Sequence, residues 1–468
     1  MQKITFNYLF EKFFVLFTTL LFTNTLNAKP VNETKAKVVG INFLNSTQVN
    51  SSNKKSSDNL SILFTETLDG IIPAHYIFTG ESIKGFVIVS ADDAISPILG
   101  YSNEGKMDVS NFPENFKSWM EGYKKQILYL RENHISASGE INSEWTAMYN
   151  NKFSSNKTST TSVSPLLTTQ WGQYDFYNDL CPHTYPGYST RCPTGCVATA
   201  MAQVMKYWNF PEHGTGFNIY TSSNYGTLSA NFESATYNWS AMPNLIHSPN
   251  IAVATLMYHC GISVDMEYDP AGSSASGTFG TPIDFALKKH FSYAKSAKKI
   301  DIYFPFYIDT LKKELDSGRP MIFGGKLSNG MGHALVYDGY DGNDFFHLNY
   351  GWDGQFDGFY AMGNANGFNL TEIYLGIQPS KMPTSIIESS DINSLLIYPN
   401  PSTGKFAIEL DNQISEIKVF DVLGNELVDQ KPNAFKTDVD LSNQAKGIYL
   451  VKIYDQTRHV VNRRIIIQ

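Results

Sequence analysis

Two hydrophobic rhythms divide most of this chain, and an unbroken apolar run precedes them. From Phe13 to Phe22 the sequence FFVLFTTLLF carries no charge. Such a run is too short to span a bilayer. Its place near Met1, and the Leu26-Asn27-Ala28 stretch that follows, predict an export signal over residues 1–28, the alternative being a buried helix. Gly85-Phe86-Val87-Ile88-Val89-Ser90 is short, β-branched and aromatic, and predicts a strand broken by Asp92-Asp93 and Pro97. Phe112–Tyr129 repeats with helical period, with Pro113 near its start. Residues 29–150 therefore read as a compact α+β unit. The polar stretch Ser154–Ser164 follows, and residues 151–165 form a linker open to proteolysis.

Residues 166–380 change rhythm partway. Cys196–Tyr207 (CVATAMAQVMKY) is the clearest helix, ended by Pro211, and further helices are expected over Ala252–Cys260 and Thr281–Lys289. Short strands follow at Met321–Gly324, Ala334–Tyr337 and Phe345–Tyr350. Helices first and antiparallel strands later predict an α+β domain. After a linker at 381–393, the segment 394–468 alternates with period two at Glu416–Asp421, Gly447–Lys452 and Arg463–Ile467. That pattern predicts a small, sandwich-like all-β module. Its sole histidine or cysteine is His459, which argues for adhesion, targeting or carbohydrate contact over catalysis. No later run is long enough for a transmembrane segment.

At 468 residues the chain needs more than one core. A net charge of -8 with no basic stripe gives no electrostatic case for a nucleic-acid partner. Four cysteines, at 181, 192, 196 and 260, do not make a disulfide scaffold. Cys181 with Cys192 is the pair open to bridging, and four reduced thiols are the alternative.

Cys196 opens the best helix, directly after Pro193-Thr194-Gly195. First-turn N–H groups and the helix field favour a thiolate there, although a small buried core cysteine is the plainer role. His333, in Gly330-Met331-Gly332-His333-Ala334, stands at the start of a strand and is the natural base; His347, between Phe346 and Leu348, is its rival and fits a core or edge role better. Acyl transfer also needs an oxyanion donor and a group to orient the imidazole. Gln173, after Trp171-Gly172, is the candidate donor together with the Cys196 N–H. Asn349 is the candidate to orient His333, and Trp352 to shield that contact from water. Each also has an ordinary structural role open to it. There is no HExxH, no second cysteine pair for zinc, and no acidic twelfth position for calcium after Asp338, Asp341 and Asp344, so no metal or other cofactor is expected.

Four blocks carry a resemblance. Gly195–Tyr207, Gly261–Tyr268, His333–Gly339 and Phe346–Trp352 resemble, in order, segments of the streptopain (C10) family of cysteine peptidases. The resemblance implies a papain-like fold and peptide-bond hydrolysis by a Cys–His pair. It puts Cys196 on the nucleophile, His333 on the base, Gln173 on the oxyanion-hole glutamine, and Asn349 and Trp352 on motif positions near the histidine. Tyr350 stands where the family usually has Trp, and Asp353 where Gly is common. Gly85–Asp93 with Pro97–Ser102 resembles the family's inhibitory propeptide. Tyr398-Pro399-Asn400-Pro401, Val419–Gly424 and Gly447-Ile448-Tyr449 resemble the C-terminal sorting domain of type IX secretion in Bacteroidetes. Together these imply a self-inhibited zymogen, exported across the outer membrane to the medium or the cell surface. Its partners would be protein or peptide substrates, its own propeptide as intramolecular inhibitor, and the secretion machinery. The competing expectations are a catalytically silent papain-like adhesin or binding protein, and an acyl-transfer enzyme of transglutaminase type.

Overall fold

The computed structural model describes residues 28–47, 59–80, 85–105, 107–152, 162–275, 281–301, 308–326, 332–362, 370–380, 395–421, 425–456 and 460–468. The export signal before residue 28, most of the 151–165 linker and the whole 381–393 linker lie outside the described residues. Two compact units are present, Met1–Ser380 and Lys381–Gln468.

The first unit begins with α1 (Glu33–Thr47), which buries Ala36, Val39, Gly40, Phe43 and Leu44. That spacing is one helical face. Four antiparallel strands follow, β1 (Ser61–Thr67), β2 (Pro73–Thr79), β3 (Phe86–Ser90) and β4 (Ile98–Ser102), then α2 (Glu114–Glu132) and α3 (Gly139–Tyr149). β3 and β4 are buried along their whole length, because α1 and α3 cover one face and α2 the other. The strand expected over 85–90 and the helix expected over 112–129 are both present, within a few residues.

Next come α4 (Cys196–Trp208), the hairpin β5 (Phe217–Ser222) and β6 (Gly226–Asn231), α5 (Ile251–Ser263), α6 (Ile283–His290), β7 (Lys298–Asp301) and α7 (Ile308–Asp316). The strands β8 (Met321–Lys326), β9 (Gly332–Tyr340), β10 (Phe345–Asn349), β11 (Gly358–Ala361) and β12 (Leu370–Leu375) complete the unit. The ten-stranded sheet runs β1-β2-β3-β4-β11-β10-β9-β8-β12-β7. The four N-terminal strands therefore continue directly into the strands of the 166–380 segment. The joint pairs Phe359 with Tyr101 and Tyr360 with Gly100. The two sides also share one core, in which Phe116 and Trp119 of α2 meet Tyr350, Phe356 and Tyr360. Tyr123 donates from α2 to the Ala361 carbonyl at 2.7 Å.

The second unit is all β: β13 (Leu396–Tyr398), β14 (Lys405–Phe420), β15 (Glu426–Gln430), β16 (Ala434–Asp440), β17 (Gly447–Asp455) and β18 (Val460–Ile467). The long β14 pairs with β13, β15, β16 and β17, and β17 pairs with β18. A parallel bridge from Ser402 to Ile467 brings the ends of the module together, so the strands curl toward a nearly closed barrel. Ile408, Ile414, Ile417, Val419, Ile453 and Ile465 fill it, as the period-two pattern requires.

One buried group makes the N-terminal segment sensitive to acid. His75 on β2 is 1% exposed. Burial, helped by the charge of Lys124, lowers its pKa to about 3, against about 6.5 in an unfolded chain. The folded value is the lower, so the unfolded chain takes the proton first. Stability present above pH ~6.5 is lost progressively toward pH ~3, and about 2 kcal/mol is gone at pH 5. Urea unfolding at pH 7 and pH 5 should show wild type losing about that much more than His75→Leu. Equal losses in the two proteins would refute the assignment.

Candidate active site

The site is built on the start of α4. Gly195 precedes the helix with φ +87°, a region open to glycine, and a Cβ there would meet the Ser273 carbonyl at 2.9 Å. Behind it, Ala198, Ala200 and Ala202 are small enough to seat α4 closely in a core shared with Val253, Leu256 and Met257 of α5. Cys196 is thus fixed at the helix N-terminus. Its Sγ accepts the backbone N–H of Ala334, on β9, at 3.3 Å. His333 directly precedes that residue and lies opposite Gly325 in the β8–β9 register. Burial pushes the Cys196 thiol up, opposed by the N–H groups of Ala334, Val197 and Cys196 itself.

Gln173 stands beside the helix start. Its carbonyl accepts the Thr194 N–H at 3.0 Å. The residue is 5% exposed, and its carboxamide Nε2 is buried with no hydrogen-bond partner among the described residues. Trp352 lies against Tyr174, with ring centroids 5.9 Å apart, which places it next to the Gln173 loop.

Asn349 is buried but committed elsewhere. Its Oδ1 accepts from Gln203 Nε2 at 2.8 Å and from the Gly351 N–H at 3.0 Å. Its Nδ2 donates to the Thr169 carbonyl at 2.9 Å and to Gln203 Oε1 at 3.3 Å. These four bonds fill the capacity of a carboxamide. The structure brings Asn349 onto Gln203 of α4 and onto the Thr169 carbonyl. Gln203 and Thr169 were not singled out in the sequence. The signal was available, since a glutamine two turns after the cysteine falls on the same face of a helix whose neighbours are apolar.

The residues that depart from the family pattern have local explanations. Tyr350 is buried, 6.0 Å from Phe116 and 5.6 Å from Tyr360 between ring centroids. Asp353 takes φ +54°, and its carboxyl occupies the space that any side chain at position 172 would need. Burial holds that carboxyl above the usual carboxylate range.

His347 is engaged by Asp338, Nδ1 to Oδ1 at 2.6 Å. Burial opposes charge on the ring, but Asp338 outweighs it and holds His347 above the usual histidine range. The other Asp338 oxygen accepts the Leu167 N–H at 2.9 Å. Val163 exchanges two backbone bonds with Tyr340, and Leu166 donates to the Asp338 carbonyl. The end of the linker and the residues just after it are therefore pinned to β9.

Of the two states the sequence left open for Cys181 and Cys192, the structure has the reduced one: all four cysteines are free thiols. Cys192 Sγ lies 2.9 Å from the Tyr225 hydroxyl, and burial pushes the Cys181 thiol up to about 12.

A cysteine at a helix N-terminus, held against the histidine-bearing strand of an antiparallel sheet, is the layout of a papain-like cysteine peptidase. The profile of the Peptidase C10 family matches residues 171–360. One described as Spi protease inhibitor matches 28–127, and one described as a secretion system C-terminal sorting domain matches 396–468. Streptopain of Streptococcus pyogenes is 31% identical over 386 residues, covering 74% of this chain and 92% of streptopain. The thiol protease/hemagglutinin PrtT of Porphyromonas gingivalis is 29% identical over 79% of this chain, but the chain spans only 44% of PrtT. The prointerpain A fragment of Prevotella intermedia superposes with TM-score 0.54 at 28% identity, covering 67% of this chain and 97% of the fragment. The chain belongs to the C10, or streptopain, family of cysteine peptidases. It carries an inhibitor-type propeptide module ahead of that domain and a sorting domain after it, which places it among secreted or cell-surface proteins. No described helix is long and apolar enough to cross a membrane.

Proposed function

We propose that the chain is the zymogen of an endopeptidase, with Cys196 as nucleophile and His333 as base. In this reading residues 29–150 inhibit the domain at 166–380 until the 151–165 linker is cut, and 394–468 serve export. The observation that carries it is the 3.3 Å contact between the Ala334 N–H and Cys196 Sγ, which ties the histidine's strand to the thiol at the helix N-terminus. The unsatisfied Gln173 amide supports it, because an oxyanion hole needs a buried donor held in reserve.

In the mechanism, His333 takes the thiol proton and the sulfur attacks the peptide carbonyl. The Cys196 N–H and Gln173 Nε2 receive the oxyanion. The imidazolium protonates the leaving amine, and water then hydrolyses the thioester. Trp352 walls the Gln173 loop. Asn349 contributes by holding Gln203. Protein and peptide chains are the substrates, and the medium must be reducing enough to keep Cys196 free.

Burial within the 166–380 segment keeps the Cys196 thiol up and only backbone N–H groups oppose it; in this reading an inhibitory propeptide adds to that by restricting access to the sulfur. Cutting the linker and removing the propeptide should therefore raise the rate of Cys196 alkylation by iodoacetamide at pH 7 at least about tenfold, because the thiolate is the reacting species. Mass spectrometry of the Cys196 peptide over time measures this. An unchanged rate would contradict the inhibitory role of residues 29–150.

A further inference from the structure

We infer that Gln203 is a positioning residue of the hydrolytic site, setting the loop that carries the Gln173 amide against the nucleophile helix. The inference rests on the peptidase reading above. Gln203 lies two turns beyond Cys196 on the same face of α4 and is 0% exposed. Its Oε1 accepts from the Thr169 hydroxyl at 2.9 Å, from the Trp171 N–H at 3.2 Å and from Asn349 Nδ2 at 3.3 Å. Its Nε2 donates to Asn349 Oδ1 at 2.8 Å. One side chain on the nucleophile helix thus holds two other pieces of the site. One is the 169–173 segment ending at the oxyanion glutamine. The other is the turn from Asn349 to Trp352.

A buried carboxamide is costly unless its bonds are made. A leucine would fill the same volume, so filling space does not account for an amide here. Its bonds fix a distance that apolar packing leaves loose. The Gln173 loop is held to the nucleophile segment at both ends: the Gln173 carbonyl accepts the Thr194 N–H just ahead of α4, and the Thr169 hydroxyl and Trp171 N–H donate to Gln203 in the middle of α4, while Gln170 and the Trp171 indole are bonded to the Asn244 and Pro243 carbonyls. An oxyanion donor works only within a few tenths of an ångström of its place, and a displacement of about 1 Å costs roughly 10²-fold.

The test separates two reactions of the same sulfur. Iodoacetamide alkylation forms a C–S bond and releases iodide, and it creates no oxyanion. Peptide hydrolysis passes through one. The full chain, carrying Gln203→Met or Gln203→Glu, is matured by limited proteolysis and compared with wild type in both reactions. For Gln203→Met the expected result is a fall in kcat of about 30-fold with KM within about threefold, and alkylation of Cys196 within about threefold. Affinity for a peptide aldehyde, whose adduct bears the oxyanion, should fall by the same factor as kcat/KM. Gln203→Glu, which keeps the acceptor for Thr169 and Trp171, should recover part of kcat. If Gln203→Met does not fold, Thr169→Val removes one tether without touching α4 and should lower kcat about threefold to tenfold with alkylation unchanged. Hydrolysis within threefold of wild type in both Gln203 variants would overturn the inference, as would alkylation falling in parallel with hydrolysis. Wild type that alkylates normally but cuts no peptide would overturn the peptidase reading and this one with it.

Discussion

The Cys196→Ala precursor should stay uncut in the linker and should hydrolyse casein at least about 10⁴-fold more slowly than wild type. The reasoning is local. The substitution removes one sulfur from a half-buried position and leaves α4, whose packing runs through Ala198, Met201, Ala202 and Met205, intact. The Gln173 amide and the Gln203 bonds do not involve the sulfur. The fold should therefore survive while the nucleophile is lost. An added trace of wild-type enzyme supplies the control. If it cuts the variant at the same place, the linker is a competent substrate and the defect lies in Cys196 alone. A variant that retained more than about one hundredth of wild-type activity, or that matured unaided, would remove Cys196 from the mechanism.

What the sequence made legible is local, and what it hid is long-range. α4 was readable because thirteen consecutive residues follow one helical pattern behind a Gly195 start signal. β9 and β10 were readable from short apolar runs set off by Gly and Asp turns. The joint between β4 and β11 was not, because pairing across some 260 residues leaves no periodic trace in either strand. Residues 29–150 and 166–380 look like separate units in sequence yet share a sheet and a core. The site shows the same division. Cys196, His333 and Gln173 each stand beside a glycine or a helix boundary, and such features can be read along the chain. The tie between β9 and the thiol is made by the N–H of Ala334, which no sequence pattern advertises. The pairing of Asn349 with Gln203 of α4, at both ends of its amide, likewise leaves no trace along the chain. β5 and β6 were missed because both are largely polar and because the apolar Phe217 and Ile219 of β5 fall on its exposed face, so burial alternates while hydrophobicity does not mark the inner side.

The shared core also changes what inhibition involves. A propeptide held only by polar contacts could leave once the linker is cut. Here Tyr101 stacks on Phe359 at 5.2 Å, its hydroxyl donates to Asp341 at 2.8 Å, and Phe116 lies 4.9 Å from Phe356. Departure would expose these rings together with the unpaired edge of β11. Gly100 is where this contact can be broken from the propeptide side. A Cβ there would fall 2.7 Å from the Tyr360 ring and 3.2 Å from the Phe359 carbonyl, and Tyr360 is fully buried, with its hydroxyl on the Phe356 carbonyl. Gly100→Val should therefore cost the joint about 3 kcal/mol, equivalent to a roughly 100-fold shift toward the open form. Labelling of Cys196 by a peptidyl electrophile in the uncut precursor should rise by about that factor. Position 100 leaves with the propeptide, so the mature enzyme from both precursors should be the same molecule with the same kcat/KM. Faster labelling with identical mature kinetics assigns the effect to the joint. Labelling unchanged from wild type would mean that the β4–β11 contact does not hold the site closed.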